Sequence, residues 1–435
     1  MDAARQLNSD ASERDHFVPA RKIDVIDAVI ADGALASEAD RGKFRQLCKM
    51  LGAIYHYEYF DRLEKLRNDY FYFSPEFDGA HPGAEAATVE RAYREMVDTL
   101  RGVLHNANFI EISHGEINQA HSEHALVQVP VVAPQDNYRE VLFFRRGQHR
   151  ETIEIPIWYG WRTRVSEVDV YDDVVLMVTI RNDAKSRKRH TRHVKLRPGS
   201  VMLKYFRDIA RTDLNALFPD VRVVMGLKDR LWLGVPAVLG GIPILLKLAA
   251  TLTVLFLVAG FYLGVGDSVE EADTAGALAA LSGIVALGGF IFRQWMKFQR
   301  QTLIYQKILS ENVYFRNVNN NAGIFDYVIG EAEEQECKEA FLAYYFLLAP
   351  RGEPTQDALD RRIEAWLKEK FGTDIDFECD DSLVKLDKLG LLQRDGGRLS
   401  VPPLDEALVR LDRIWDNFFP FDSARQQAPG KATTG

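Results

Sequence analysis

The sequence predicts an α+β fold organised around a two-helix transmembrane hairpin, with a small antiparallel β-domain before it and a winged-helix-like C-terminal domain after it. Three observations carry that expectation. Two apolar runs, 248–265 and 275–292, are each 18 residues long and free of Asp, Glu, Lys, Arg and His. Between 126 and 180 the hydrophobic pattern shifts to a period of two, in segments rich in Val, Ile, Phe and Thr. From Glu333 onward the chain reads as three helices followed by a hairpin. The expected division is a disordered tail over 1–15, a helical region over 16–104, the β-domain over 105–225, the membrane segment over 226–295, a helical return over 296–332, the winged-helix-like domain over 333–422 and a disordered tail over 423–435.

The hairpin reading rests on length and charge. At the α-helical rise each run makes a helix about 27 Å long, close to the thickness of a hydrocarbon core. Lys228, Arg230 and Lys247 precede the first run, Arg293, Lys297 and Arg300 follow the second, and the loop over 266–274 carries no Lys or Arg. Basic residues stay on the cytoplasmic side, so a multi-pass membrane protein with both termini cytoplasmic is expected, in the inner membrane if the chain is bacterial. The apolar stretch 231–246 is broken by Gly234, Pro236, Gly240, Gly241 and Pro243, which fits an interfacial helix or a re-entrant turn. Gly260 with Gly264, and Ala275, Ala279 and Gly283, give small-residue faces on which the helices pack within one chain or between copies, so a homo-oligomer is among the expected partners, beside the lipid bilayer.

Composition excludes some classes. The formal net charge of −9 over 435 residues gives no general polycation for nucleic acid. Cys48, Cys337 and Cys379 are too few and too far apart for a disulfide framework or a CxxC zinc site. The acidic N-terminus lacks an apolar signal core, which leaves the hairpin as the insertion signal.

Taken in order, Phe44, Leu47, Leu51 and Ile54 mark an amphipathic helix that runs on to Leu66. Residues 74–83 form a loop, and 85–104 another helix. Ser113 to Glu116 is a capping-box pattern. Strands are expected over 126–132, 140–145, 152–157 and 168–180, then a basic loop over 185–197, then a short helix capped by Thr212. Helical spacing through Phe298, Thr302, Tyr305 and Leu309 is interrupted by Asn and Gly at 317–323. Helices follow from about Glu333, over 355–371 and over 382–389, and Asp395-Gly396 signals a hairpin turn.

Several motifs point the same way. Tyr314-Phe315-Arg316-Asn317-Val318-Asn319-Asn320-Asn321-Ala322-Gly323, Glu333 to Ala340, Ala343-Tyr344-Tyr345, Phe17-Val18-Pro19, His56-Tyr57-Glu58-Tyr59, Leu142 to Gly147, and the Gly-Pro pattern of 234–243 together resemble the family of transmembrane protein 143 and its bacterial relatives, the domain of unknown function 3754. The resemblance spans about residues 17 to 420, and the family pattern tends to Asp where this chain has Asn319. It implies a multi-segment membrane protein without an established activity, and it brings no catalytic residues; no cofactor or metal is expected.

The residues themselves offer few chemical candidates. There is no GxSxG, HExxH, Walker A or GxGxxG in a strand–turn–helix context. His114, His121 and His124 are read as a surface helix in preference to a metal set, which needs three or four converging ligands. Glu331, Glu333, Glu334 and Glu336 fit the first turns of a helix, where the macrodipole favours carboxylates. A candidate ligand or partner site combines Asn317, Asn320, Asn321, Glu334, Glu336 and His56. Candidate lipid head-group contacts are Lys185, Arg187, Lys188, Arg189, Lys228, Arg230, Lys247, Arg293 and Lys297. Over 380–400, Asp380, Asp381, Asp387 and Asp395 balance Lys385, Lys388, Arg394 and Arg398, with Lys385 and Lys388 expected as the exposed cations of the third helix. That balance predicts docking onto protein and no nucleic-acid binding. The expected function is a non-catalytic, membrane-anchored scaffold or interaction protein with an unknown protein partner. The alternatives are a membrane-bound enzyme with its site in 317–339, or a membrane-tethered DNA-binding regulator.

Overall fold

A computed structural model describes residues 14–35, 37–76, 85–113, 115–117, 131–132, 135–157, 162–183, 197–219, 221–223, 260, 263, 271–349 and 355–418. The chain forms two compact units. One gathers Met1–Ser113, Asn137–Ile209 and Asn317–Gly435; the other holds His114–Asp136 and Ala210–Arg316.

The first unit opens with an extended segment over 14–20 and three helices: α1 (Lys22–Ala31), α2 (Glu38–Tyr70) and α3 (Ala86–Asn106). Ser37 starts α2 by accepting the Asp40 amide on its hydroxyl, one of the orphan donors of a helix N-terminus. Phe44, Leu47, Leu51, Ile54, Tyr59, Leu66 and Tyr70 then bury one face of that helix at helical spacing.

A long hairpin follows, β3 (Tyr138–Ile157) and β4 (Arg162–Ile180), the second and third strands of a five-stranded sheet. Its order is β1 (Ile110–Glu111), β3, β4, β5 (Val201–Ala210), β7 (Asn317–Asn320). Within the hairpin Arg146 stands directly opposite Asp173. Gly147 beside it has φ +67°, and a Cβ there would run into the Asp172 side chain, so glycine is required at that point.

Helix α5 (Gly323–Leu348) is the axis of this unit. From Gln335 to Leu347 every residue is buried, so the helix is enclosed on all sides. Against it pack α1, α2 and α3 and, from the C-terminal part, α6 (Gln356–Phe371), α7 (Cys379–Lys388) and the hairpin β8 (Gln393–Asp395) with β9 (Arg398–Ser400), while α8 (Leu404–Asp416) packs on α2. Gly396 and Gly397 both have positive φ, as a two-residue hairpin turn of the primed type demands. One apolar cluster joins Val18, the helices α1 to α3, the inner residues of β3, β4 and β5, α5, and the C-terminal helices.

The second unit contains β2 (Val131–Val132) paired antiparallel to β6 (Arg222–Val223), a 3₁₀ helix over Arg211–Leu217, and helix α4 (Glu271–Arg316). Thr212 lies inside that 3₁₀ helix and does not cap it; its buried hydroxyl has no hydrogen-bond partner among the described atoms.

The membrane expectation is corrected here. Run 275–292 is the first part of the 46-residue helix α4, which continues through Arg293, Lys297, Arg300 and Lys307. At 18 residues, 275–292, the run sits at the short end of what a span takes. Among the described residues, no helix is long and apolar enough to cross a membrane. That finding overturns the transmembrane hairpin, the multi-pass localisation and the orientation derived from them. Run 248–265, apart from Gly260 and Leu263, and the stretch 231–246 lie outside the described residues.

Candidate functional site

The polar residues of interest converge on α5. The sequence places its carboxylates near a helix start, but α5 begins at Gly323, so Glu331, Glu333, Glu334 and Glu336 stand in its third and fourth turns. Their stabilisation comes from specific partners and not from the macrodipole.

One polar cluster lies toward α7. Lys385 reaches from α7 to Glu339 and Glu336 of α5, the latter at 3.3 Å, and to Asp381 one turn back at 2.7 Å. Its side chain is 6% exposed, and those of Glu336 and Glu339 are 7% and 2% exposed. Glu339 also accepts from the Asn108 amide at 3.0 Å, and Glu336 from the Tyr59 hydroxyl at 3.4 Å. Burial pulls the Lys385 pKa down, but Glu339, Glu336 and Asp381 more than reverse this, and the ammonium is retained. Burial pushes the Glu336 carboxyl up to about 7 against the pull of Lys385, and raises Glu339 in the same way. Three carboxylates around one ammonium leave the cluster with excess negative charge, which works with burial to favour the protonated form of the glutamates.

A second cluster faces the sheet. Asp173 accepts from Arg146 Nη2 at 2.6 Å, from the Tyr205 hydroxyl and from Arg207 Nε at 3.3 Å. Arg146 also meets Glu331 of α5 at 2.8 Å, and its guanidinium lies between the Phe17 and Phe109 rings. Lys338, at 2% exposure, donates to the carbonyls of Val18 and Ala20 and lies 3.7 Å from Glu334. Burial lowers its pKa to about 8, with Glu334 and Glu331 opposing.

The expected site residues do not share one cleft. His56 projects to solvent and pairs with Glu333 at 2.9 Å. Glu334 accepts the backbone amide of Lys22 at the start of α1. Asn317 and Asn320 hydrogen-bond to each other on β7. Asn321, at φ +51°, turns the chain into α5; its amide proton goes to the Leu203 carbonyl and its side chain donates to Glu76. These asparagines therefore act in strand pairing and the following turn. Of the basic candidates, Arg293 and Lys297 are exposed on α4, whereas Lys185, Arg187, Lys188, Arg189, Lys228, Arg230 and Lys247 lie outside the described residues, as do His114, His121 and His124. Among the described residues no group of His, Cys, Asp or Glu is placed to hold a metal ion.

Sequence reasoning missed Arg146, Asp173, Tyr205, Lys338 and Asn108, and it placed Lys385 on the surface. A signal existed for Arg146: two arginines inside the apolar stretch Leu142 to Gly147 call for a buried counter-charge.

A cleft of about 530 Å³ opens elsewhere in the first unit, lined by His16, His105, Asp360, Asp376, Glu378 and Cys379 among others. Burial, with Glu364 and Asp376 nearby, raises the Asp360 carboxyl to about 6.

No solved structure matches the chain. A family model matches residues 171–323, from within β4 to the first residue of α5; it supports the domain and carries no link to transmembrane protein 143 itself. By this match the chain carries the domain described as protein of unknown function (DUF3754).

Proposed function

We propose that this chain is a non-catalytic scaffold or interaction protein. The observation that supports the reading is the closed state of the α5 polar clusters. The charged side chains of these clusters whose proton affinities burial perturbs, Glu336, Glu339, Lys338 and Lys385, are directed at carboxylate, ammonium and backbone carbonyl partners within the core. Catalytic acids and bases are tuned by burial at the wall of a cleft, where a substrate reaches them. Here burial tunes groups that are already satisfied by protein partners, which is what a structural network does.

The C-terminal helices and hairpin suit docking onto protein better than onto nucleic acid. With Lys385 buried among carboxylates, α7 keeps Lys388 as its outward cation, too little for phosphate neutralisation. A second reading, an enzyme, draws on the cleft beside His16 and His105, where Asp360 has a raised pKa.

The test is functional rescue by a chain in which the α7-facing cluster is replaced as a whole, Glu336→Gln with Glu339→Gln and Lys385→Met. A scaffold with this variant, once its circular dichroism and melting curve match the wild type, restores the phenotype of cells lacking the protein. A folded variant that fails to restore it argues for chemistry at the cluster.

A further inference from the structure

The segment 14–20 is held in an unusual way. It has no secondary structure of its own, yet side chains of the body read its backbone. Gln335 of α5 directs both ends of its amide at Val18, accepting from the Val18 N–H and donating to the Val18 carbonyl, each at 3.2 Å. Lys338, one turn further along α5 and on the same face, donates to the Val18 carbonyl at 2.7 Å and to that of Ala20 at 3.0 Å. Asn108 donates to the His16 carbonyl at 2.9 Å, and the Asp376 amide donates to that of Asp15 at 3.1 Å. Contacts of this kind recognise an extended chain whatever its sequence, as peptide-binding grooves do.

Two side chains add selectivity. Phe17 lays its ring on the Arg146 guanidinium at 4.1 Å and within 5.4 Å of the Lys338 ammonium. Val18 is fully buried and joins the apolar core. Pro19 then keeps Val18 extended, because the residue before a proline is steered away from the helical region. The groove is therefore built for an aromatic residue followed by a β-branched one. Its polar floor, Gln335 and Lys338, is buried at 1% and 2% exposure beneath the segment. Emptying the groove would strip both groups of these hydrogen bonds, so a vacant groove favours a replacement ligand.

We propose that this groove is a binding site for an extended peptide with an aromatic–β-branched pair, and that residues 14–20 are its ligand in cis, exchangeable with a partner segment of the same chemistry. The groove gives the interaction role proposed above a specific site and rests on that reading. Its failure would leave the rescue by the cluster variant untouched, since that variant alters none of the groove residues named here.

The test uses the full chain with Val18→Asp, which unseats the cis segment, and a fluorescent peptide of residues 14–22 as the probe. The peptide binds the variant saturably, and binds the wild-type chain at least about tenfold more weakly because the tethered segment competes at high effective concentration. Adding Lys338→Met weakens binding about tenfold or more through the lost charged hydrogen bonds. A folded variant that ignores the peptide, or takes a Val18→Asp peptide equally well, overturns the proposal. Hydrogen exchange of the wild-type chain decides the matter where the variant does not fold. The Val18 amide should exchange at least about a hundredfold faster than those of Cys337 and Ala340, as a locally opening segment does. Equal protection would make the segment a fixed part of the core and refute the exchange.

Discussion

Replacing Lys385 by Met should be among the most damaging single substitutions in the α5 core. Its ammonium stands 3.3 Å from Glu336, a Coulomb attraction of about 5 kcal/mol at an effective dielectric of 20. Similar contacts run to Glu339 and Asp381. Desolvation of these nearly inaccessible groups offsets much of that, so the relevant quantity is the cost of leaving Glu336 and Glu339 buried without a cation, about 3–5 kcal/mol. The pH dependence follows from the sign of the carboxyl shifts. Without Lys385 the two glutamates bind protons more tightly in the folded chain than in the unfolded one. Stability of the variant therefore falls as pH rises above the unfolded glutamate value, and the penalty should be small at pH 5 and full at pH 8. Urea unfolding followed by circular dichroism at both values measures it. Adding Glu339→Leu should recover about half the loss at pH 8, because one of the stranded charges is gone. A loss below about 1 kcal/mol at pH 8, or one that does not change with pH, would show that Lys385 is not the counter-charge of this core.

Glu336→Gln should reshape the stability profile: the wild-type carboxyl, raised from 4.5 to about 7, makes stability fall between those values by up to about 3 kcal/mol relative to the variant, and parallel unfolding curves would expose the difference. Lys338 has the opposite slope; with its pKa lowered from 10.5 to about 8, wild-type stability should rise between pH 8 and 10.5 relative to Lys338→Met, a trend that a melting series across that range would detect or dismiss. Asp173→Asn should cost about 3 kcal/mol, the low end for a broken buried pair because Glu331 still faces Arg146; an unchanged urea midpoint would mean the cross-strand pair is dispensable. Gly147→Ala should destabilise by about 2–4 kcal/mol, from its positive φ and from the collision with Asp172, and a neutral melting temperature would contradict the local geometry.

Local signals predict local elements well. The turn chemistry of Asp395-Gly396 gave the β8–β9 hairpin, and helical spacing gave α6 to within one residue of its start, Gln356 against the expected Thr355. Tertiary placement was another matter. Lys385 sits beside Leu386 in a helix of mixed charge, and nothing within that helix distinguishes a buried lysine from a solvated one; the distinction comes from Glu339, 46 residues away. Helical spacing starts α5 ten residues late because asparagines and Gly323 read as an interruption, whereas they pair a strand and turn directly into the helix. The late start puts four carboxylates at a helix N-terminus, where their role in the core does not show. The polar composition of 1–15 predicts disorder for part of the segment 14–20, since backbone recognition by distant side chains leaves no periodicity in the segment itself. Asp15 in fact accepts the Gln148 amide at 2.9 Å. The charge-free run 275–292 gave a strong one-dimensional signal, but the helix that contains it is more than twice as long and extends into a basic second half.

Reactivity of Lys385 toward an amine-directed reagent, followed by mass spectrometry in the native state, tests most directly whether the polar interior of α5 is a closed structural network. Lys368, with a side chain 63% exposed against 6% for Lys385, is the internal reference. A closed network predicts modification of Lys385 at least about a hundredfold slower than that of Lys368, because the core must open before the reagent arrives. Modification at a comparable or faster rate would mean that small molecules reach Glu336 and Glu339 in the folded chain, and the scaffold reading would give way to an enzyme.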